Sequence, residues 1–230
     1  MYLSKLILNK GYEQVRRDLN DCQQMHRTIL SCLPFQDNRN KNANTEVTEA
    51  RLLYRVERNP ETKEAMVLVQ SVAMPDWSKL PDTYLKPIED SMICKSIAFF
   101  FNRIKEGQIL SFRLRANPTG RDEHEKRRPL TEESKLISWL KRKGTQHGFE
   151  IVNVVLGNNI EYSNVVVSKE HYLSGWRANG REKKKLIFNS VVFQGQITVT
   201  DKEKFLIALK GGIGSAKGYG FGLLSVGLAS

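Results

Sequence analysis

The chain has 230 residues, of which 40% are hydrophobic and 27% charged, and its 36 Lys+Arg against 25 Asp+Glu give a formal net charge of +11. That length holds one large domain or two small ones, and that apolar share supports a packed core rather than wholesale disorder. The cationic excess points to a polyanionic partner, nucleic acid or an anionic membrane surface. The membrane is the weaker of the two. Apolar runs such as Ile97-Ala98-Phe99-Phe100-Phe101 fall far short of the ~20 residues a spanning helix needs. The segment from Met1 to Asn9 also lacks the long apolar run and small-residue cleavage site of a signal peptide. Cys22, Cys32 and Cys94 form no CxxC pair, which argues against a disulfide framework or structural zinc and for a reducing cytoplasm.

In chain order, Tyr2 to Asn9 alternates apolar and polar residues as a strand does. From Gly11 to Leu33 the apolar residues Tyr12, Val15, Leu19, Cys22, Met25, Ile29 and Leu33 recur at helical steps, and Pro34 ends that helix. Gln36 to Thr45 is Asn-rich and charged, a mobile loop. Leu52 to Glu57 and Ala65 to Val72 read as strands about a turn at Asn59-Pro60-Glu61, and Pro75, Pro81 and Pro87 break up the next stretch. Ile93 to Phe101 reads as a buried strand or a helix, with the strand preferred.

The second half repeats that order. Leu110 to Ala116 alternates cleanly as a strand, and Arg121 to Arg128 is a charge run. Thr131 is placed to cap a helix with Glu132 and Glu133 in its first turn and Lys141, Arg142 and Lys143 toward its end. Phe149 to Leu156, Tyr162 to Ser168 and Phe188 to Val199 are strand-like, Asp201 caps a helix to Leu209, and Phe221 to Leu228 closes the chain. Each half sketches β-α-β-β-α-β, so the expected class is α+β with two ferredoxin-like, RRM-like domains in tandem, residues 1–105 and 106–230.

The segment from Gly211 to Gly222 is rich in glycine, whose missing Cβ lets backbone N–H groups approach a ligand. It lies between a helix and a strand, and it fits neither GxGxxG nor GxxxxGK[ST], which excludes nucleotide-cofactor readings. Lys217-Gly218-Tyr219-Gly220-Phe221 opens like the RNP1 pattern of RNA-recognition modules, but Gly222 and Leu224 depart from it. The alternatives are a backbone-exposing basic loop at nucleic acid and a tight helix-to-strand connection.

Several blocks together carry a family resemblance. Phe112-Arg113-Leu114-Arg115-Ala116-Asn117-Pro118-Thr119 resembles the RANP-T motif of the CasE proteins, the CRISPR repeat-RNA endoribonucleases of type I-E systems. Trp139-Leu140-x-Arg142-Lys143 leading to His147-Gly148-Phe149, Val192-Phe193-Gln194-Gly195, and the run from Gly212 to Ser225 resemble further blocks of that family. The first half adds Tyr2-Leu3-Ser4-Lys5 and a helix bearing His26-Arg27. The resemblance implies two ferredoxin-like domains and metal-independent cleavage of precursor CRISPR RNA on the 3′ side of the repeat hairpin. It also implies retention of the product within Cascade, with other Cascade subunits as partners and no small-molecule cofactor.

Cleavage of this kind uses the substrate's 2′-OH as nucleophile, a base and an acid to move protons, and cations to stabilise the phosphorane, leaving a 2′,3′-cyclic phosphate and a 5′-OH. The family's catalytic histidine aligns with His26, at the border of the apolar stripe and a polar face holding Arg16, Asn20, Gln23 and Arg27. Some members carry a tyrosine one turn earlier, where this chain has Gln23, which cannot transfer a proton. That leaves the partner of His26 open; Lys217 of the glycine-rich loop is the candidate for transition-state charge stabilisation, with Tyr219 a weaker one. Expected RNA contacts are Gln23, Arg27, Arg113, Arg115, Lys141, Arg142, Lys143, Gly214, Ser215 and Tyr219, with Arg177, Lys183 and Lys184 from a basic segment that includes Arg181 and Lys185. His124 is read as solvated, His147 as a helix-end cation and His171 as a loop residue; no cluster has metal-ligand spacing. Rival readings are a non-catalytic RNA-hairpin-binding subunit, in which His26 is structural, and a basic DNA-binding protein.

Overall fold

The structure is a computed structural model describing residues 1–34, 52–59, 61–157, 160–179 and 182–229. The expected loop from Gln36 to Thr45, and Arg181, lie outside the described residues. In chain order the elements are β1 (Tyr2–Ile7), α1 (Glu13–Asn20), α2 (Cys22–Ser31), β2 (Leu52–Arg58), β3 (Ala65–Ser71), β4 (Met92–Ser96), α3 (Ala98–Arg103), β5 (Ile109–Ala116), β6 (Thr119–Arg121) and β7 (Arg127–Pro129). They continue with α4 (Glu133–His147), β8 (Phe149–Ile151), β9 (Asn153–Leu156), β10 (Ile160–Ser163), β11 (Val165–Lys169), β12 (Leu173–Asn179), β13 (Glu182–Phe188), β14 (Val191–Val199), α5 (Lys202–Gly211) and β15 (Leu224–Leu228).

The chain divides into two compact units. One comprises Met1–Phe99, Leu173–Ile187 and Gly218–Gly220; the other Phe100–Tyr172, Phe188–Lys217 and Phe221–Ser230. A linear division at 105/106 differs from this packing. The change falls inside α3, and hairpin β12–β13 with three residues of the glycine-rich turn belongs to the first unit.

The first unit is built on an antiparallel sheet in the order β2-β3-β1-β4. Counting only its own strands, that is the 2-3-1-4 order of a ferredoxin-like sheet. β1 turns Ser4 and Leu6 inward, and Leu8 just after it follows, onto a core that includes Val15, Met25, Ile29, Val67 and Val69. No α-helix stands between β3 and β4. A single 3-10 turn, Trp77–Lys79, and an irregular stretch take its place and bury Trp77 and Tyr84. Their polar ends are satisfied: Trp77 Nε1 donates to Ser4 Oγ at 3.1 Å, and Tyr84 Oη donates to the buried Asp18 carboxylate at 2.8 Å.

The second unit repeats the topology with both helices present. Its sheet runs β11-β14-β5-β15, with β8 also on β14, antiparallel throughout. β5 buries Leu110, Phe112, Leu114 and Ala116 and turns Ser111, Arg113 and Arg115 to the other face. Asp201 caps α5, its carboxylate accepting from the Lys204 backbone N–H at 3.0 Å. Aromatic pairs fill the core: Trp139 stacks on Phe193 at 5.8 Å, and Phe149 meets Phe205 edge-on at 5.9 Å.

Four expectations are corrected. The helix from Gly11 to Leu33 is two helices, because Asp21 is extended and its side chain accepts from Gln23 N and Gln24 N to start α2. The apolar stripe continues across that cap, but the helical wheel does not; Arg16 and Asn20 therefore do not share one polar face with Gln23 and Arg27. Ile93 to Phe101 splits into β4 and α3. Thr131 is not the cap of α4: Glu132 stands there, making no side-chain capping hydrogen bond, its carboxylate accepting from Lys135 Nζ instead. The basic segment about Arg177 is the hairpin β12–β13, which the charge run concealed.

Candidate active site

His26 lies in the middle of α2, next to the buried Met25 and one turn after Cys22. Its ring is half-buried between two tyrosines of the first unit. Tyr54 of β2 stacks on it at 6.4 Å and 24° between planes, and Tyr219 stands at 6.3 Å and 52°. Tyr54 is held in turn, its hydroxyl donating to the Cys22 carbonyl at 3.0 Å. The imidazole Nδ1 is buried with no hydrogen-bond partner among the described residues. Burial, and secondarily the Arg27 guanidinium, push the His26 pKa below its ordinary value of 6.5, which favours the neutral ring. The Cys22 thiol, pushed up to about 12 by burial and by Asp21, is no nucleophile.

The glycine-rich turn meets this ring through its first-unit residues. A β-carbon at Gly218 would lie 3.6 Å from His26 Cε1, ordinary contact distance. Gly220 has φ +86°, a left-handed conformation, and a β-carbon there would lie 3.2 Å from the Tyr54 ring. Glycine at 220 thus lets the chain turn across Tyr54 and present Tyr219 to the histidine.

Strand β12 packs against α1 and α2. The contact closes at Gly175, where a β-carbon would lie 2.8 Å from both Asp21 Oδ1 and Cys22 Sγ, so only glycine fits against the start of α2. Gln23, Arg27, Arg177, Lys183 and Lys184 belong to this same unit, the last four exposed.

The other expected residues belong to the second unit. Arg113 donates to Gln194 Oε1 across β14, and Arg115 is ion-paired to Glu170 at 2.8 Å with its side chain 11% exposed. Ser190 Oγ also donates to Glu170, and the charge of Arg115 is the foremost influence holding that carboxyl below its ordinary range against burial. Arg115 is therefore already engaged inside the protein.

Lys141 and Arg142 project from α4, while Lys143 is half-buried and donates to Gln146 Oε1 at 2.8 Å. Gly214, at φ +88°, sits over Trp139, and Ser215 Oγ donates to the Asn117 carbonyl at 3.4 Å. Asn117 Oδ1 also accepts from the Asn189 N–H, so the strand-end motif ties down the connection into β14. Burial first and Lys143 second lower the pKa of Lys217, and burial, Lys143 and Lys217 lower that of His147. His124 and His171 are exposed. Among the described residues no group of three or more His, Cys, Asp or Glu is placed to hold a metal ion, and no helix is long and apolar enough to cross a membrane.

Three contributors escaped the sequence reading. Tyr54 looks like any core aromatic of a strand. Gly218 is one glycine among many. Gly175 carries meaning only once β12 is seen on α2.

Comparison with known proteins decides the family. The family model described as CRISPR associated protein matches residues 1–227. The chain belongs to this family, in its CasE/Cse3 type I-E branch. It is 33% identical over 229 residues, 98% of this chain and 99% of the relative, to the CRISPR-associated endoribonuclease Cse3 of Thermus thermophilus. It is 29% identical over 240 residues, 98% of each chain, to the CRISPR system Cascade subunit CasE of Escherichia coli. Among solved structures, a CRISPR endoribonuclease Cse3 bound to a 19-nucleotide RNA matches with a TM-score of 0.78 and 33% identity, covering 99% of this chain and 100% of that one.

Proposed function

We propose that this protein is the endoribonuclease that cuts precursor CRISPR RNA at the 3′ side of its repeat hairpin and keeps the product as a subunit of Cascade. Full-length kinship to a CRISPR-associated endoribonuclease and to a Cascade subunit supports the activity and the partners. The observation that carries the chemistry is the half-buried imidazole of His26, flanked by Tyr54 and Tyr219, with its Nδ1 lacking a hydrogen-bond partner among the described residues.

The reaction is a transesterification. The ribose 2′-oxygen attacks the adjacent phosphorus, its proton passes to a base, and the 5′-oxygen leaves with a proton from an acid. A 2′,3′-cyclic phosphate and a 5′-hydroxyl result. With Nδ1 buried, Nε2 is the nitrogen that meets substrate, and a neutral ring accepts the 2′-OH proton. Gln23 cannot give or take a proton, which leaves His26 the proton-transfer group of α2. Lys217, next in sequence to Gly218, is the proposed source of positive charge for the phosphorane. Arg27, Lys141, Arg142, Lys143, Arg177, Lys183 and Lys184 hold the RNA backbone, and the reaction takes place in the cytoplasm.

The test is a repeat-hairpin RNA incubated with the protein in EDTA, with the product ends mapped. Cyclic-phosphate and 5′-hydroxyl ends, lost in His26→Ala while binding persists, are expected. Binding without cleavage by the unaltered protein would show a non-catalytic RNA-binding subunit instead.

A further inference from the structure

We propose that Trp176, on the outer face of hairpin β12–β13, is a stacking platform for an unpaired nucleobase of the bound RNA. Side chains alternate along a strand, so Trp176 stands on the side opposite Gly175, which is pressed against α2. The indole is 49% exposed, a large apolar surface left open on a two-stranded hairpin. Lys185 Nζ, from the neighbouring strand, lies 5.9 Å from the ring centroid. By the same alternation Lys183 and Ile187 join Trp176 and Lys185, and Ile187 is 60% exposed.

An open tryptophan and the lysines Lys183 and Lys185 on its face each work against folding, by leaving apolar area in water and by like-charge repulsion. Both features are used when a base lies on the indole and its phosphates meet the ammonium groups. Duplex RNA offers its bases only at their edges, so the ligand that fits is an unpaired nucleotide flanking the repeat hairpin. Gly175 is what sets this face: its close fit on α2 fixes which side of β12 is turned outward. The inference rests on the reading of the protein as a binder of repeat RNA.

The experiment uses the whole chain and two RNAs, the repeat hairpin with single-stranded flanks and the same hairpin without them, with 2-aminopurine placed at each flanking position in turn. The unaltered protein is expected to bind the flanked RNA more tightly and to quench at least one probe. Trp176→Ala should lose about fivefold or more in affinity for the flanked RNA, bind both RNAs alike and abolish the quench, while Trp176→Phe keeps all three properties. Retained affinity and quench in Trp176→Ala would overturn the proposal, as would an equal loss on both RNAs. Unchanged RNA binding with loss of association to other Cascade subunits would assign the face to a protein and also overturn it. Failure of the unaltered protein to bind either RNA would instead bring down the functional reading itself.

Discussion

The two units share one sheet topology but close it differently. In the second, α4 and α5 both cover the sheet, and Phe205 of α5 fills the core without a polar atom. In the first, the second α-helix is missing, and Trp77 on a 3-10 turn and Tyr84 on irregular chain do its work. An irregular segment buries backbone and hydroxyl groups that a helix would have satisfied internally, so each must find a partner. They do: Asp76 N–H donates to the Cys32 carbonyl at 2.7 Å, Asn9 N–H to the Tyr84 carbonyl at 2.9 Å, and Tyr84 Oη shares the Asp18 carboxylate with Thr28 Oγ1. The half with the polar, improvised closure is also the half that carries His26. A layer held by particular hydrogen bonds leaves fewer substitutions neutral than one held by apolar area.

The widest separation between the units is expected in catalysis. His26→Ala should lower single-turnover cleavage by about 10²–10⁴-fold with RNA affinity retained. A similar fall with binding lost as well would mean that the ring is structural.

Stability should divide the units by mechanism. Phe205→Ala leaves a cavity in the second and should cost about 3–5 kcal/mol. Tyr84→Phe leaves Asp18 with one donor fewer and should cost about 1.5–3 kcal/mol. Equal and small losses in urea unfolding would erase the contrast.

Gly220→Ala places a β-carbon at φ +86° against Tyr54. It should cost about 1–2 kcal/mol and slow cleavage by displacing Tyr219 from the histidine. A stable variant with full cleavage would remove the turn from the site.

If Lys141 of one unit and Lys184 of the other each contact an RNA phosphate, as proposed, removing either should reduce the slope of log affinity against log salt by about 0.7–0.9. A filter-binding titration with unchanged slope would acquit that residue.

The smallest effect concerns pH. Arg27 is a secondary cause of the lowered His26 pKa, so Arg27→Ala should raise it in an NMR titration. The sign follows from linkage. The unfolded histidine takes up its proton near 6.5, before the folded one, so stability from this group is present above that pH and lost as pH falls toward the folded value. In Arg27→Ala that loss becomes smaller, and a pKa that stays put would show the guanidinium turned away.

Much of the fold was legible where side-chain period and caps act locally. β5 alternates Leu110, Phe112, Leu114 and Ala116 with Ser111, Arg113 and Arg115, and Asp201 announces α5, because both signals are written within a few residues. The break at Asp21 is not legible in the sequence because its neighbours keep a helical apolar period through the cap, and the capping bonds exist only in space. Hairpin β12–β13 was hidden by its own charge, since a strand exposed on one face does not need the apolar run that marks a buried one.

The sequence alone determined the polyanion-binding character, the two sheet-and-helix halves and the candidacy of His26, since net charge, periodicity and a family's motif blocks are properties of order along the chain. Only tertiary structure decided what surrounds that histidine. Tyr54, Gly175, Gly218 and Tyr219 lie far from residue 26 in sequence, and it is close packing, in which a single β-carbon at Gly175 would collide with α2, that brings them to one place.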